Sequence, residues 1–179
     1  MLTGLRLVSE AAELAARRHS GQQRKRHGGE PYINHLAEVA NLLSVASNGG
    51  DAELVAAGWL HDTIEDTDTS HDELAERFGQ RVAGLVEEVT DDMTLARSER
   101  RRLQVIEAPT KSAGAKQIKI ADKISNVRAR IFFEPSPEQK EELADYLAWA
   151  EQVVIGCRGI NPQLDALFDE AIANARATL

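Results

Sequence analysis

The chain has 179 residues, 21 Lys+Arg against 29 Asp+Glu (net charge −8), and a single cysteine. That length supplies one core rather than two ordinary domains, and a hydrophobic content of 42% argues against disorder. The acidic balance excludes a general binder of nucleic-acid polymers, no apolar run approaches the roughly 20 residues of a membrane span, and one thiol excludes an internal disulfide and fits a reducing cytoplasm.

Ala, Leu, Glu and Arg dominate between five prolines, and period-2 alternation is scarce, so the pattern predicts an all-α, single-domain bundle of about eight helices. The first runs from about Leu5 to His19, ending near Gly21. A polar loop, QQRKRHGGEPYIN, leads to a helix from about His35 to Ala46. The next is expected from Asp51, a candidate N-cap, to about Ile64. Ser70–Phe78 and Gln80–Val89 follow. Ser98 to about Ala108 is basic on one face, and Ala115 to about Phe132 is amphipathic. Two helices close the chain, from Pro137 to Ile155 and from Asn161 to Arg176, with Pro137 and Pro162 in first turns, where proline is tolerated.

The stretch AELVAAGWLHDTIEDTDT concentrates the chemistry. It is apolar nearly all round from Leu54 to Leu60, which predicts a buried central helix. It then ends in His61, Asp62, Glu65, Asp66 and Asp68. Four carboxylates at a helix C-terminus oppose the macrodipole and repel one another, so a positive partner is expected there. Asp62 stands i,i+3 and i,i+4 from Glu65 and Asp66 and would share their face. A solvated acidic helix end is the bland alternative.

His35 opens a helix with apolar Leu36, Val39, Leu42 and Leu43, where a histidine commonly caps or packs. Asp122 lies among Ile118, Ala121, Ile124 and Ser125, with Asn126 one turn on, and could simply pair with Lys119 or Lys123. Taken together, His35, His61, Asp62 and Asp122 make a mixed nitrogen and oxygen donor set. It suits Mn²⁺, Fe²⁺, Co²⁺ or Zn²⁺ better than Mg²⁺.

The H…HD…D pattern of His35, His61-Asp62 and Asp122 resembles that of the HD-domain metal-dependent phosphohydrolases. The longer string LHDTIEDTDTS is similar to the hydrolase half of RelA/SpoT proteins. GQQRKRHGGEPYINH, VEEVTDD, RRLQVIEAPTKSAGAKQIKIADKISNVR and YLAWAEQVV resemble the small stand-alone alarmone hydrolases. The resemblance runs from about Leu5 to Cys157 and leaves no room for a synthetase region. It implies an all-α HD fold with one Mn²⁺, held by His35, His61, Asp62 and Asp122. It implies Glu65 and Asp66 as the catalytic acidic pair, and Arg24, Lys25, Tyr32, Asn126 and Tyr146 as substrate-binding residues. The implied reaction removes pyrophosphate from the 3′ position of ppGpp or pppGpp, giving GDP or GTP. The segment after Arg128 matches least.

The residues support that chemistry on their own terms. A divalent ion acidifies a water and polarises a phosphoryl oxygen, and a carboxylate such as Glu65 can take the water's proton while Asp66 orients it. Arg24, Lys25 and Arg26 form a basic triplet before His35, and Arg97, Arg100, Arg101 and Arg102 a second cluster. In an acidic chain such clusters suggest a local anion funnel, the alternative being solvated faces. Tyr32 and Tyr146 could stack on a base or pack in the core. His19 is expected to meet a helix dipole, His71 the surface, and Trp59 and Trp149 the core. Cys157 has no pattern for nucleophilic catalysis. Two other functions fit the same residues: a phosphatase for another nucleotide, such as the 2′-phosphate of NADPH, and a nucleotide sensor without turnover. The intact acidic pair argues against the sensor.

Overall fold

Leu54, Val55, Ala56, Ala57, Gly58 and Leu60 are all buried, as a helix apolar on every side must be. The computed structural model describes residues 2–24 and 29–179 and places this helix at the centre of the bundle. In chain order the α-helices are α1 Gly4–Arg18, α2 Ile33–Ala46, α3 Ala52–Leu60, α4 Thr63–Asp66, α5 His71–Phe78, α6 Gln80–Val89, α7 Arg97–Glu107, α8 Ala113–Arg130, α9 Pro137–Ile155 and α10 Pro162–Arg176. Nine have eight residues or more, α4 is a single turn, and a 3₁₀ turn at Ala108–Thr110 follows α7. Among the described residues there is no strand, only an isolated bridge between Gln23 and Pro31. The fold is all-α, as the composition requires. Among the described residues no helix is long and apolar enough to cross a membrane.

The caps follow from short polar side chains. Asp51, Ser70, Ser112, Ser136 and Asn161 each accept a backbone N–H of the helix they open, and Ser136 with Gln139 completes a capping box. Helix α3 packs on α1, α2 and α6, while α8 crosses α2 and α6 and receives α9 and α10. Each of α2, α3 and α8 thereby turns one polar position into the same interior corner.

One boundary differs from expectation. The helix predicted from Asp51 to Ile64 ends at Leu60, with His61 as C-cap and Asp62 at φ −101°, ψ 0°. Side chains compete for the carbonyls there: His61 Nδ1 donates to Gly58 O at 2.8 Å and Thr63 Oγ1 to Leu60 O at 2.6 Å. Asp62 therefore becomes the N-cap of the one-turn α4, and the Asp66 N–H still bonds to Asp62 O at 2.9 Å, one turn on.

Gly58 sets the distance between α2 and α3. A Cβ there would stand 2.5 Å from Leu43 Cδ1 and 3.3 Å from Ala40 Cα, a backbone atom that cannot yield. Gly58→Val is therefore expected to lower stability by about 1–3 kcal/mol in a denaturant melt. It should also weaken metal retention, because the same spacing sets His35 against His61. Wild-type values for both would show that the helix approach does not govern the corner.

Candidate metal and phosphate site

His35 enters from the first turn of α2, His61 and Asp62 from the end of α3, and Asp122 from the middle of α8. Their donor atoms converge. His35 Nε2 lies 3.2 Å from His61 Nε2, 3.5 Å from Asp62 Oδ2 and 3.3 Å from Asp122 Oδ1. His61 Nε2 lies 3.1 Å from Asp62 Oδ2 and 3.9 Å from Asp122 Oδ1. His35, His61 and Asp62 form the tightest group, with one ligand atom each inside a 4.8 Å span, and Asp122 closes on the two imidazoles from α8. Both histidines are buried.

Hydrogen bonds on the other ring nitrogens fix the tautomers. Gly58 O can only accept, so His61 Nδ1 carries the proton. Ser125 Oγ donates to Glu38 Oε2 at 2.6 Å and so accepts from His35 Nδ1 at 2.9 Å. Arg24 Nη2, 3.5 Å from the same nitrogen, faces it donor to donor. With both Nδ1 atoms protonated, two Nε2 lone pairs point at each other across 3.2 Å, flanked by two carboxylates. Such a set is repulsive until a cation enters it, and adjacent donors about 3 Å apart are what a first-row divalent ion at about 2.1 Å requires. The donor chemistry therefore fits the metal, and the outer partners Gly58 and Ser125 aim it.

Without a cation the corner holds protons instead. Burial pushes His61 down, but Asp62 and Asp122 outweigh it and raise its pKa to about 9. Burial opposes ionisation of Asp62 and Asp122 as well, yet Asp62 stays well below the carboxylate range beside the imidazoles, as does Asp122 beside Lys123 and His35. Lys123 Nζ donates to Asp122 Oδ2 at 2.7 Å, and Asn126 donates to Asp122 Oδ1. Of the two lysines that could pair with Asp122, the structure selects Lys123.

Glu65 and Asp66 part company. Glu65 lines an inner cavity of about 200 Å³ together with His61, Asp62 and Asp122. Its Oε2 accepts the Asp91 backbone N–H at 3.0 Å, and burial, reinforced by the charges of Asp62 and Asp91, raises its pKa to about 7. Asp66 is exposed and lines an outer cavity of about 440 Å³ with Gln22, Arg24, Tyr32, Asn126 and Arg130. As neighbours in the single turn of α4 they project about 100° apart, which sends them to different cavities.

Arg24 is buried, with Nη2 on Asn126 Oδ1 at 3.3 Å and on Ser125 O at 3.4 Å. Lys25, with Arg26, His27 and Gly28, lies outside the described residues. Tyr32 donates its hydroxyl to Asp62 Oδ2 at 2.6 Å and stacks on His19 at 5.3 Å. Its phenol is raised by burial and by the Asp62 charge, so it remains a donor to a metal-cluster carboxylate. His19 is thus a buried support for Tyr32 and not simply a helix-end charge. Tyr146 is buried, with the Arg130 guanidinium 3.6 Å above its ring.

Tyr146 also borders a third cavity of about 200 Å³, walled by Arg97, Arg100, Arg101, Lys123, Arg130 and Trp149. Three of the four arginines of the second basic cluster thus face a cavity, while Arg102 pairs with Glu99 on the surface. Trp149, expected in the core, is a wall residue with Arg101 and Lys123 over its ring at 4.5 and 4.7 Å. Sequence reasoning missed this role, together with those of Asp91, Arg130 and Gln104, whose amide donates to Asp91 Oδ2 at 2.6 Å. Asp91 lies in the VEEVTDD string that was noted without a role.

Comparison with known proteins shows the family. An HD-domain family model matches residues 11–145. The human guanosine-3′,5′-bis(diphosphate) 3′-pyrophosphohydrolase MESH1 is 48% identical over 156 residues, covering 87% of each chain. The mouse protein of the same name is 44% identical over 170 residues, covering 95% of each. A solved structure of a metazoan SpoT orthologue, described as hydrolysing ppGpp, superposes over 100% of both chains with a TM-score of 0.89 at 38% identity.

Two outcomes follow for metal binding. Ser125→Ala removes the acceptor that fixes the His35 tautomer and should weaken divalent-metal affinity about 10- to 100-fold in a calorimetric titration. Because a protonated His61 cannot ligate, affinity in the wild type should fall as pH drops below about 9, by up to about tenfold per unit. A flat profile from pH 9 to 6 would exclude His61 as a ligand.

Proposed function

The chain belongs to the HD-domain family and is a hydrolase of the RelA/SpoT kind, and from that premise we propose that it removes pyrophosphate from the 3′ position of ppGpp or pppGpp. The observation that carries the reading is the convergence of His35, His61, Asp62 and Asp122 beside Glu65, at the meeting point of cation-lined cavities. We assign one Mn²⁺ to that corner and the activity to the cytoplasm. When bound, the ion supplies charge neutralisation on a phosphoryl oxygen and acidifies water.

The remaining work falls to side chains of this chain. Glu65, half-buried and with a pKa near 7, is poised to take a proton from the attacking water at neutral pH. The Asp91 N–H holds one carboxylate oxygen, leaving the other for that proton. Tyr32 and Asn126 steady Asp62 and Asp122 by donating to them. Arg97, Arg100, Arg101 and Arg130 give a polyphosphate the positive walls that an overall acidic surface does not. Phosphoryl transfer needs chiefly positioning and charge neutralisation, and these groups provide both. Asp66, on the outer cavity, is assigned to orienting the substrate's approach.

A substrate panel with purified protein, run with Mn²⁺ and with chelator, tests the assignment. Pyrophosphate release from ppGpp that stops with chelator is expected, and Asp62→Ala should abolish it. Phosphate release from NADPH without pyrophosphate release from ppGpp would replace this reading with the 2′-phosphatase one. Glu65→Gln should lower kcat about 100-fold or more. In the wild type, kcat/KM should fall as pH drops, with an apparent pKa no higher than about 7, since a bound cation can only favour the ionised carboxylate.

A further inference from the structure

Helix α8 carries Lys119, Asp122, Lys123 and Asn126 at intervals that put them on one stripe, and all four line the inner cavity. Three have partners that explain them. Asp122 belongs to the metal cluster, Lys123 pairs with Asp122, and Asn126 bridges Asp122 and Arg24. Lys119 does not. It is 5% exposed, and its hydrogen bond among the described residues is a 3.4 Å contact to the carbonyl of Val89. No carboxylate of the described residues stands within ion-pairing distance of its Nζ. A buried ammonium with so little compensation is costly, and three donors on one long bond leave most of its capacity unused.

Its position indicates what completes it. Lys119 lies one turn before Asp122, about 4.5 Å along the helix axis. Asn126 lies one turn after Asp122 and borders the outer and cationic cavities, through which a nucleoside would extend. Lys119 borders neither of those two; besides the inner cavity it lines a further one of about 170 Å³ whose walls mix Arg100 and Lys111 with Glu88, Asp91, Asp92 and Glu107. Lys119 thus faces the inner cavity from the side of Asp122 opposite to Asn126, where the phosphate farther from the nucleoside would lie. Burial and the charge of Lys123 push the Lys119 ammonium down from its ordinary value, against Asp91 and Asp122, so an arriving anion would relieve the strongest opposing effects.

We propose that Lys119 binds the terminal phosphate of the pyrophosphate group in the inner cavity, with the nucleoside directed the other way along α8. The assignment rests on the 3′-pyrophosphohydrolase reading and names the residue that selects a diphosphate over a monophosphate leaving group.

Calorimetric titration of the Mn²⁺-loaded chain with inorganic pyrophosphate, and separately with orthophosphate, tests it without turnover. Lys119→Met keeps the stem and removes the charge. It is expected to weaken pyrophosphate binding about 10- to 100-fold while orthophosphate binding and metal stoichiometry stay within about threefold. Equal loss of both anions, or pyrophosphate binding within about twofold of wild type, overturns the proposal. Should the variant fail to fold, a crystal structure of the wild type with Mn²⁺ and pyrophosphate decides: Nζ must lie within about 3.2 Å of a phosphate oxygen, and water or a structural anion in that place refutes the assignment. Pyrophosphate selectivity without ppGpp turnover would keep Lys119 and reject the substrate. Turnover without the selectivity would do the reverse.

Discussion

Two imidazoles buried in a helical bundle are held with their Nε2 atoms 3.2 Å apart, because each Nδ1 is committed elsewhere, one to the carbonyl of Gly58 and one to Ser125. Neutral histidines cannot relieve that arrangement by rotating without abandoning buried hydrogen bonds. Two carboxylates lean on the same point. Everything nearby follows from the need to balance it: Lys123 and Asn126 on Asp122, Tyr32 on Asp62, and Arg24 behind Asn126. The packing of α2, α3 and α8 is therefore also electrostatic engineering, since it fixes where charge must be supplied from outside.

The charge layout answers how an acidic protein handles a polyanion. Carboxylates gather at the metal corner, and cations stand in the cavities around it, Lys119 and Lys123 in the inner one and the α7 arginines with Arg130 in the one bordered by Trp149, with Glu65 and Asp91 among them. Elsewhere acidic and basic residues pair on the surface, as Arg81 does with Asp51 and Glu53 and Arg18 with Asp68 and Glu73. Such exposed pairs contribute little to stability, but they leave the cavity cations as a distinct local field.

Much of this was legible in the sequence because it rests on local signals. Prolines, caps and apolar periodicity gave Gln80–Val89 and Pro137–Ile155 to the residue, and the other helices within two positions except the one from Asp51, which ends four positions early at Leu60. The four metal-corner residues were legible through spacing and family resemblance together. What stayed hidden depends on contacts between distant segments. The break after Leu60 arises from side chains competing for backbone carbonyls, which periodicity cannot register. Trp149 looks like core on its own helix and becomes a cavity wall only because Arg101 of α7 crosses it. Asp91 acts through its backbone N–H, to which a side-chain motif is blind. Tyr32 reads as a base-stacking ring, yet its hydroxyl is already committed to Asp62.

The most direct test is an anomalous-scattering map, recorded at the manganese edge, from crystals of the metal-stripped protein resupplied with Mn²⁺. The account predicts one peak per chain, about 2.0–2.3 Å from Nε2 of both His35 and His61 and bonded to Asp62 and Asp122. An empty corner, or an ion bound by other residues, would contradict it.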